Sequence, residues 1–153
     1  MPRFVPKDPD YERRVRDSFA RQTLMATIGA EMAEVGPGSC TLAMAYRRDL
    51  CQQHGFHHAG VTTALADSAA GYAAYSLMPP GSSVLTVEYK INLMAPADGE
   101  RFLARAAVER AGRSLTVVRS EVFAVKNGEE KAIAFMLATM MCLADTPDVA
   151  AGR

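Results

Sequence analysis

The feature that most constrains the fold is a long uncharged segment with one carboxylate near its middle. Between Asp49 and Glu88, Asp67 is the only Asp, Glu, Lys or Arg, and it lies in the alanine-rich run HHAGVTTALADSAAGYAAYSLM. A helix that is apolar on nearly every face belongs in a protein core. The run therefore predicts a buried helix that other elements of the chain must surround.

Asp67 is consequently the first candidate for chemistry. An ionised carboxylate in a core loses its hydration, so it must find hydrogen-bond donors or take up a proton. The chain accepts this cost at one position of the run, and groups in such surroundings often belong to functional sites. The alternative is a structural carboxylate that caps a neighbouring loop or pairs across a dimer.

Length and charge limit the other possibilities. The chain has 153 residues, enough for one domain with its own core, and seventeen basic residues balance seventeen acidic ones. A net charge of zero argues against nucleic acid or an anionic membrane as the main partner. The run is built from Ala, Thr, Ser and Gly around an Asp, so it predicts a buried soluble helix rather than a membrane span.

The cysteines indicate a reducing compartment. Cys40, Cys51 and Cys142 are odd in number and have no metal-ligand spacing, and the chain has no cationic signal-peptide start. We therefore expect reduced thiols, no disulfide framework and a cytoplasmic location. The histidines at 54, 57 and 58 are joined by no carboxylate or cysteine at a ligand spacing, so we expect no metal site.

The segments before the run predict an arm, a helix and a strand. Residues 1–9 carry three prolines and predict an irregular arm. Residues 10–33 have apolar side chains at helical spacing, although the last of them could already form a strand. Residues 39–46 alternate as a strand does, and the glycines and proline just before them predict a hairpin or a bent strand. Residues 49–56 have no period and predict a loop.

The segments after the run predict an antiparallel meander of four strands. Residues 85–93 alternate strictly between apolar and polar side chains, which predicts a strand with one face of each kind. Asn127-Gly128 predicts a type I′ hairpin turn. The last strand is nearly all apolar, as expected for a strand covered on both faces. The other three predicted strands are residues 101–110, 114–125 and 131–143, and residues 144–153 predict a frayed tail.

These elements predict an α+β domain over residues 10–143. A single apolar helix needs a cover, and a curved antiparallel sheet wrapped around a long central helix provides it, which is the arrangement of the hot-dog fold with an extra N-terminal helix. A sheet covered on one side by its helix often pairs with a second copy, so we expect an obligate dimer.

The start of the central helix offers a second reactive feature. The first-turn amides of Ala59 and Gly60 are free donors at the positive end of the helix dipole, and both residues are small enough for a substrate to approach. Asp67 lies about 12 Å further along the helix, too far for both to act on one carbonyl within a chain. Two helices that meet at a dimer interface could bring Asp67 of one chain to the helix start of the other.

The stretch QQHGFHHAGVTTALADSAAGYAAYSLMPPGSSVLTVEYKINLMAPA resembles the PaaI-type acyl-CoA thioesterases of the hot-dog superfamily. The most specific part of the resemblance is a His-Gly-Gly segment with an Asp eight residues after its first glycine. His58-Ala59-Gly60 and Asp67 occupy these positions here. The resemblance covers residues 10–143, with Ala in place of the first glycine.

The resemblance implies a role for each matching residue. The carbonyl-polarising amide falls on Ala59, the catalytic carboxylate on Asp67 and a supporting hydroxyl on Thr86. Gln52 replaces an Asn that orients the nucleophile or substrate. His58 falls on the family's histidine, where it could position the loop rather than act as a base.

The implied reaction is hydrolysis of an acyl-CoA thioester by a homodimer or a dimer of dimers. Asp67 would act as general base or as nucleophile, and no cofactor is needed beyond the CoA of the substrate. Gly60 would also contact the substrate, and the cations Lys90, Arg110 and Arg113 are candidates for the phosphates of CoA. The alternatives are a hot-dog enoyl-thioester hydratase or dehydratase and a non-catalytic acyl-CoA-binding protein.

Overall fold

The computed structural model describes residues 4–149. In chain order its elements are α1 (Tyr11–Arg21), α2 (Thr23–Ile28), β1 (Ala30–Gly36), β2 (Ser39–Ala45), α3 (Ala59–Tyr75), β3 (Ser83–Leu93), β4 (Arg101–Ala111), β5 (Leu115–Lys126) and β6 (Glu129–Leu143). A 3₁₀ turn at Arg48–Leu50 lies between β2 and α3. The ends of the predicted arm and tail, residues 1–3 and 150–153, lie outside the described residues.

One antiparallel sheet of six strands surrounds the long helix. The strand order is β1-β2-β4-β5-β6-β3, and α3 contacts all six strands. The inner face of the sheet supplies the large core side chains, including Leu42, Phe102, Val122 and Met136. The chain therefore has the predicted hot-dog fold, with α1 and α2 as the additional N-terminal helical segment.

The alanines of α3 explain how one sheet can enclose the helix so closely. Leu65, Ala66, Ala69 and Ala73 are fully buried, and most of the second half of α3 is buried as well. An alanine adds little radius to a helix, so strands can approach it on several sides and exclude water. The prediction of a buried central helix is confirmed.

The N-terminal segment resolves an alternative that the sequence left open. The helix of residues 10–33 breaks at Gln22 into two helices and ends at Ile28, because Gly29 takes the left-handed conformation with φ 72° and caps the chain there. β1 follows and pairs with β2, so the predicted hairpin is confirmed.

The predicted four-strand meander is wrong in one connection. β3 pairs with β6, whereas β4 lies between β2 and β5. The chain that leaves β3 crosses the end of the sheet: the amides of Met94 and Ala95 donate to Ile133 O, and His57 N–H donates to Ala97 O. This crossing moves the chain past β6 toward the start of α3, so sequence neighbours do not become sheet neighbours.

Two predictions about β5 and β6 have different outcomes. The turn at Asn127-Gly128 has positive φ at both residues, 52° and 79°, as the type I′ prediction requires. The prediction that β6 is covered on both faces is wrong for a single chain. Met136 and Met140 are buried under α3, whereas Leu137 on the opposite face is 46% exposed.

Within residues 4–149, no helix has the length and apolar character needed to cross a membrane.

Arg14 fixes α1 against the end of α3. Its Nε donates to Asp8 Oδ2 at 2.7 Å, and its Nη2 donates to Met78 O at 2.7 Å. The guanidinium also lies over the ring of Tyr75, 4.3 Å from the centroid. A cation at this position satisfies carbonyls beyond the C-terminus of α3, where the helix dipole is negative.

We expect Arg14→Met to lower the free energy of unfolding by about 3 kcal/mol, because it leaves the mostly buried Asp8 carboxylate without its partner. Urea unfolding at one fixed protein concentration measures the change. Arg13→Met is the matched control, since its ion pair with Asp10 is solvent-exposed and should contribute little to stability. Equal losses in the two variants would contradict this role for Arg14.

Candidate active site

His58 begins α3 as its N-cap. The residue is extended, with φ −60° and ψ 140°, and its Nδ1 accepts the N–H of Gly60 at 2.8 Å. A Cβ at position 60 would lie 3.0 Å from this nitrogen, so glycine keeps the cap free of crowding. His58 therefore orders the first turn of the helix, and the Gly60 amide that we predicted as a substrate contact already has an acceptor.

The Ala59 amide is the donor that the first turn leaves open. Within residues 4–149 the Ala59 N–H has no hydrogen-bond acceptor, whereas the amides of Val61 and Thr62 both donate to His58 O. Ala59 does not have positive φ, so the alanine that replaces a glycine here carries no backbone strain. An N–H at the positive end of a helix dipole can bind a carbonyl oxygen as it becomes negative.

Gln52 lies beside this donor. A cavity of about 510 Å³ at the start of α3 is lined by Gln52, Ala59 and apolar side chains that include Leu93, Met94 and Ile133. The Gln52 side-chain oxygen accepts the N–H of His54, and its backbone N–H donates to Phe56 O, so the loop fixes it. The structure thus brings Gln52 and Ala59 to one cavity.

Asp67 lies further along α3 and contacts Thr86. Thr86 Oγ1 donates to Asp67 Oδ1 at 2.8 Å. Burial raises the pKa of the Asp67 carboxyl above its usual value, and the hydrogen bond from Thr86 opposes this rise because it favours the charged form. A half-buried carboxylate with one fixed oxygen and a raised pKa suits a general base or a nucleophile.

A β-bulge makes the contact between Thr86 and Asp67 possible. The register of β3 against β6 shifts between Thr86 and Glu88, which leaves Val87 as an extra residue. Directly opposed residues in an antiparallel pair share a face, and Thr86 is opposite Met140, which is fully buried under α3. The strict alternation predicted for residues 85–93 is therefore wrong at Val87.

The bulge also divides the predicted polar face of β3. Thr86 shares the inner face with Tyr89, which is opposite the buried Ala138. Lys90 is opposite Leu137 on the outer face of the sheet, away from α3. A single extra residue thus separates Thr86 from Lys90, although the sequence pattern had assigned them to the same face.

The basic residues predicted to bind the phosphates lie away from both halves of the site. Arg110 is at the end of β4 that lies beside the C-terminus of α3, and Arg113 lines a different cavity of about 320 Å³ together with Leu77 and Met78. Within one chain, the structure brings neither them nor the outer-face Lys90 to Asp67 or Ala59.

Asp67 and Ala59 themselves lie in different cavities of the chain. Asp67 and Thr86 line a smaller one of about 150 Å³, and Ala59 lines the larger one at the helix start. The two residues are about 12 Å apart by helical rise. One chain therefore presents a carboxylate and an amide donor separately, as the sequence led us to expect.

Part of the N-terminal helical segment lies at Asp67, which the sequence did not predict. Ser18 and Gln22 line the small cavity, and Ser68 Oγ donates to Gln22 Oε1 at 3.2 Å. Gln22 occupies the break between α1 and α2, which the sequence presented as one helix, so no local signal marked it. Among residues 4–149, no three His, Cys, Asp or Glu side chains form a group that could hold a metal ion.

Comparisons with known proteins identify a sequence family and several similar structures. The sequence model of the thioesterase superfamily matches residues 54–131 of this chain. A thioesterase family protein of Silicibacter pomeroyi is 54% identical, with a TM-score of 0.86 over 87% of this chain and 98% of that chain. A thioesterase of Haemophilus influenzae is 19% identical, with a TM-score of 0.80 over 93% and 96% of the two chains, and shows similarity of fold.

The PaaI protein of Escherichia coli, from the phenylacetic acid degradation operon, also has a similar fold. It is 19% identical to this chain, with a TM-score of 0.80 over 90% of this chain and 96% of that chain.

The raised pKa of Asp67 predicts that its charge destabilises the fold. A carboxyl whose folded pKa lies above its unfolded value contributes stability below the unfolded value, near pH 4, and loses it as pH rises through the folded pKa. We therefore expect Asp67→Asn to match the wild type near pH 4 and to have a higher Tm at pH 7.5, measured by circular dichroism.

Asp17→Asn on the exposed face of α1 is the matched charge control, because it removes one carboxylate from a position that is not buried. An Asp67→Asn variant that is no more stable than the wild type at pH 7.5 would contradict this account of the carboxylate.

Proposed function

The chain belongs to the thioesterase superfamily, and from this membership we propose that it hydrolyses acyl-CoA thioesters at a site shared by two subunits. The proposal depends on one observation. Asp67, which pairs with Thr86 of β3, lies on the same helix whose first turn leaves the Ala59 amide open. A carboxylate and an oxyanion donor are the two groups that thioester hydrolysis needs, because thiolate leaves without a strong acid.

The surface around Asp67 supports a dimer. Gly60, Ala64, Asp67 and Gly71 are spaced four, three and four residues apart, so they form one line along α3, and each is at least partly exposed. Such small residues let a second helix approach closely. The line can pack antiparallel against the same line of a second copy. If the two-fold axis passes near Thr63, the midpoint of residues 59 and 67, each Asp67 lies beside the other chain's Ala59.

The edge strand beside this line supports the same arrangement. Among the strands of residues 4–149, β3 pairs with β6 alone, so its second edge has free backbone groups. Leu85, Val87, Tyr89 and Leu93 are each 46–56% exposed on this strand. An unpaired edge of eleven residues with exposed apolar side chains is a liability that pairing with a second copy would remove.

In the first of two possible mechanisms, Asp67 acts as a general base. It takes a proton from a water molecule whose oxygen attacks the carbonyl carbon, and the partner's Ala59 N–H binds the oxyanion. The tetrahedral intermediate then collapses, the C–S bond breaks, and the electron pair leaves on the sulfur of CoA. Thr86 holds Asp67 Oδ1, so Oδ2 is the oxygen available for the proton.

In the second mechanism, the Asp67 carboxylate attacks the carbonyl carbon itself. The C–S bond breaks with loss of the thiolate, an anhydride links Asp67 to the acyl group, and water hydrolyses the anhydride. Both mechanisms need Asp67 ionised, so we propose that activity falls as pH is lowered through the raised pKa of this carboxyl. Gln52 in the lining of the larger cavity would orient the water or the substrate. If Lys90, Arg110 or Arg113 contacts the CoA phosphates, it does so from another subunit.

Two substitutions at α3 test the proposal. Asp67→Ala should lower kcat/KM by about a hundred- to ten-thousand-fold, because it removes the base or nucleophile. Ala59→Pro removes one N–H at the first helical position, where proline fits and where His58 already has the extended conformation that a following proline requires. It should lower kcat roughly a hundredfold or more. Ala59→Gly keeps the amide and is the matched control, with activity close to wild type.

The assay measures free-thiol release from phenylacetyl-, benzoyl-, hydroxybenzoyl- and graded fatty acyl-CoAs. Wild-type activity in folded Asp67→Ala would overturn the mechanism. A change in enoyl absorbance without thiol release would instead identify a hydratase, and tight acyl-CoA binding without turnover would identify a binding protein.

A further inference from the structure

His57 is a buried histidine between two aromatic rings. It is 4% exposed, and its ring stacks on Phe102 at 4.3 Å and on Tyr46 at 5.2 Å between centroids. Its backbone N–H donates to Ala97 O at 3.2 Å, and it forms an isolated β-bridge with Cys51. The residue therefore joins the end of β2, the start of β4, the chain that crosses from β3 and the loop before α3.

A hydrogen bond to the His57 ring determines its tautomer. His57 Nε2 accepts the backbone N–H of Arg47 at 2.9 Å, so Nε2 is unprotonated and the proton of the neutral ring is on Nδ1. His58 next to it has the opposite arrangement, because its Nδ1 accepts from Gly60 and its proton is on Nε2. Two adjacent neutral histidines of opposite tautomer thus precede the helix.

The residue that donates to His57 has hydrogen bonds of its own on both sides. Arg47 Nη1 donates to Thr27 O at 2.6 Å, and the rest of its guanidinium forms a two-bond fork with Asp49 at 2.6 and 3.1 Å. The side chain of Arg47 thus links the end of α2 to the 3₁₀ turn. His57 is followed directly by His58, the N-cap of α3.

We propose that neutral His57 is the positioning residue that holds the first turn of α3, and with it the Ala59 amide, in place for an acyl-CoA carbonyl. The catalytic part of this inference rests on the proposed function, whereas the positioning part does not. His57 and Ala59 line the same cavity, and only His58, whose own N–H donates to Leu50 O at 3.0 Å, separates them along the chain. A protonated Nε2 cannot accept from Arg47, so acid would release this link.

Burial determines the direction in which the pKa of the His57 ring shifts. Burial lowers the pKa of His57 below its usual value, and the Asp49 carboxylate acts weakly in the opposite direction. The other titratable neighbours are Arg47, whose charge also lowers this pKa, the stacked Tyr46 ring with its phenol, and Cys51, the β-bridge partner of His57. A histidine with a depressed folded pKa stabilises the fold above its unfolded pKa of about 6.5, and this stability is lost as pH falls through the folded value.

Nitrogen-15 spectra of the imidazole rings test the assignment directly. The chain has three histidines, so single His→Gln variants assign every ring. At pH 7.5 we expect the Nδ1–H tautomer for His57 and the Nε2–H tautomer for His58, and His57 should titrate with a midpoint below 6.5. The Nε2–H tautomer at His57, or a midpoint at or above 6.5, would overturn the proposal.

Two substitutions separate positioning from simple packing. His57→Phe keeps a stacked ring without an acceptor, whereas His57→Gln places an acceptor near the position of Nε2. We expect His57→Phe to shift the Ala59 and Gly60 amide resonances and to lower kcat roughly tenfold or more with little change in KM. His57→Gln should restore part of both effects. Wild-type kcat and unshifted amides in a folded His57→Phe would overturn the proposal.

The two sets of measurements keep the proposals separate. If the protein releases no thiol from any acyl-CoA but the tautomers and amide shifts are as expected, the proposed function fails and the positioning role stands. If thiol release is normal but His57→Phe shifts neither amide, the positioning role fails and the proposed function stands.

Discussion

The structure depends on the burial of one helix that carries almost no polar surface. α3 can be stable only if other elements remove most of its sides from water, and one six-stranded sheet does so, with α1 fixed to the helix end by Arg14. The sheet leaves one line of the helix open. Asp67 lies on that line among glycine and alanine, so the same constraint that forms the core leaves the carboxylate available.

The main parts of the fold follow from local signals because each has a local physical cause. Alanine over many residues predicts α3. Asn127-Gly128 predicts the hairpin between β5 and β6, because both residues readily adopt positive φ. The sheet order does not follow, because the contact of β3 with β6 depends on a chain crossing that no residue marks. The bulge at Val87 has no sequence signal either, since the alternation of apolar and polar residues continues through it unchanged.

The candidate site is predictable in its residues and much less so in its contacts. A lone Asp in an uncharged run and small residues at a helix start are visible in the sequence. That Thr86 donates to Asp67 needs the bulge, and that His58 uses the Gly60 amide and leaves the Ala59 amide open needs the geometry of the cap. Only their charge marks Lys90, Arg110 and Arg113 in the sequence, and charge does not determine which face or end of a sheet a side chain occupies.

The central claim is that one site combines Asp67 of one subunit with Ala59 of the other. Co-expression of an Asp67→Ala chain and an Ala59→Pro chain with different tags allows the mixed dimer to be purified through both tags, and its thiol release can be measured against the two inactive parents. If the site is shared, the mixed dimer has one site in which both substitutions fall and one site in which neither does. We therefore expect about half of the wild-type rate per dimer. A mixed dimer as inactive as its parents would contradict the account.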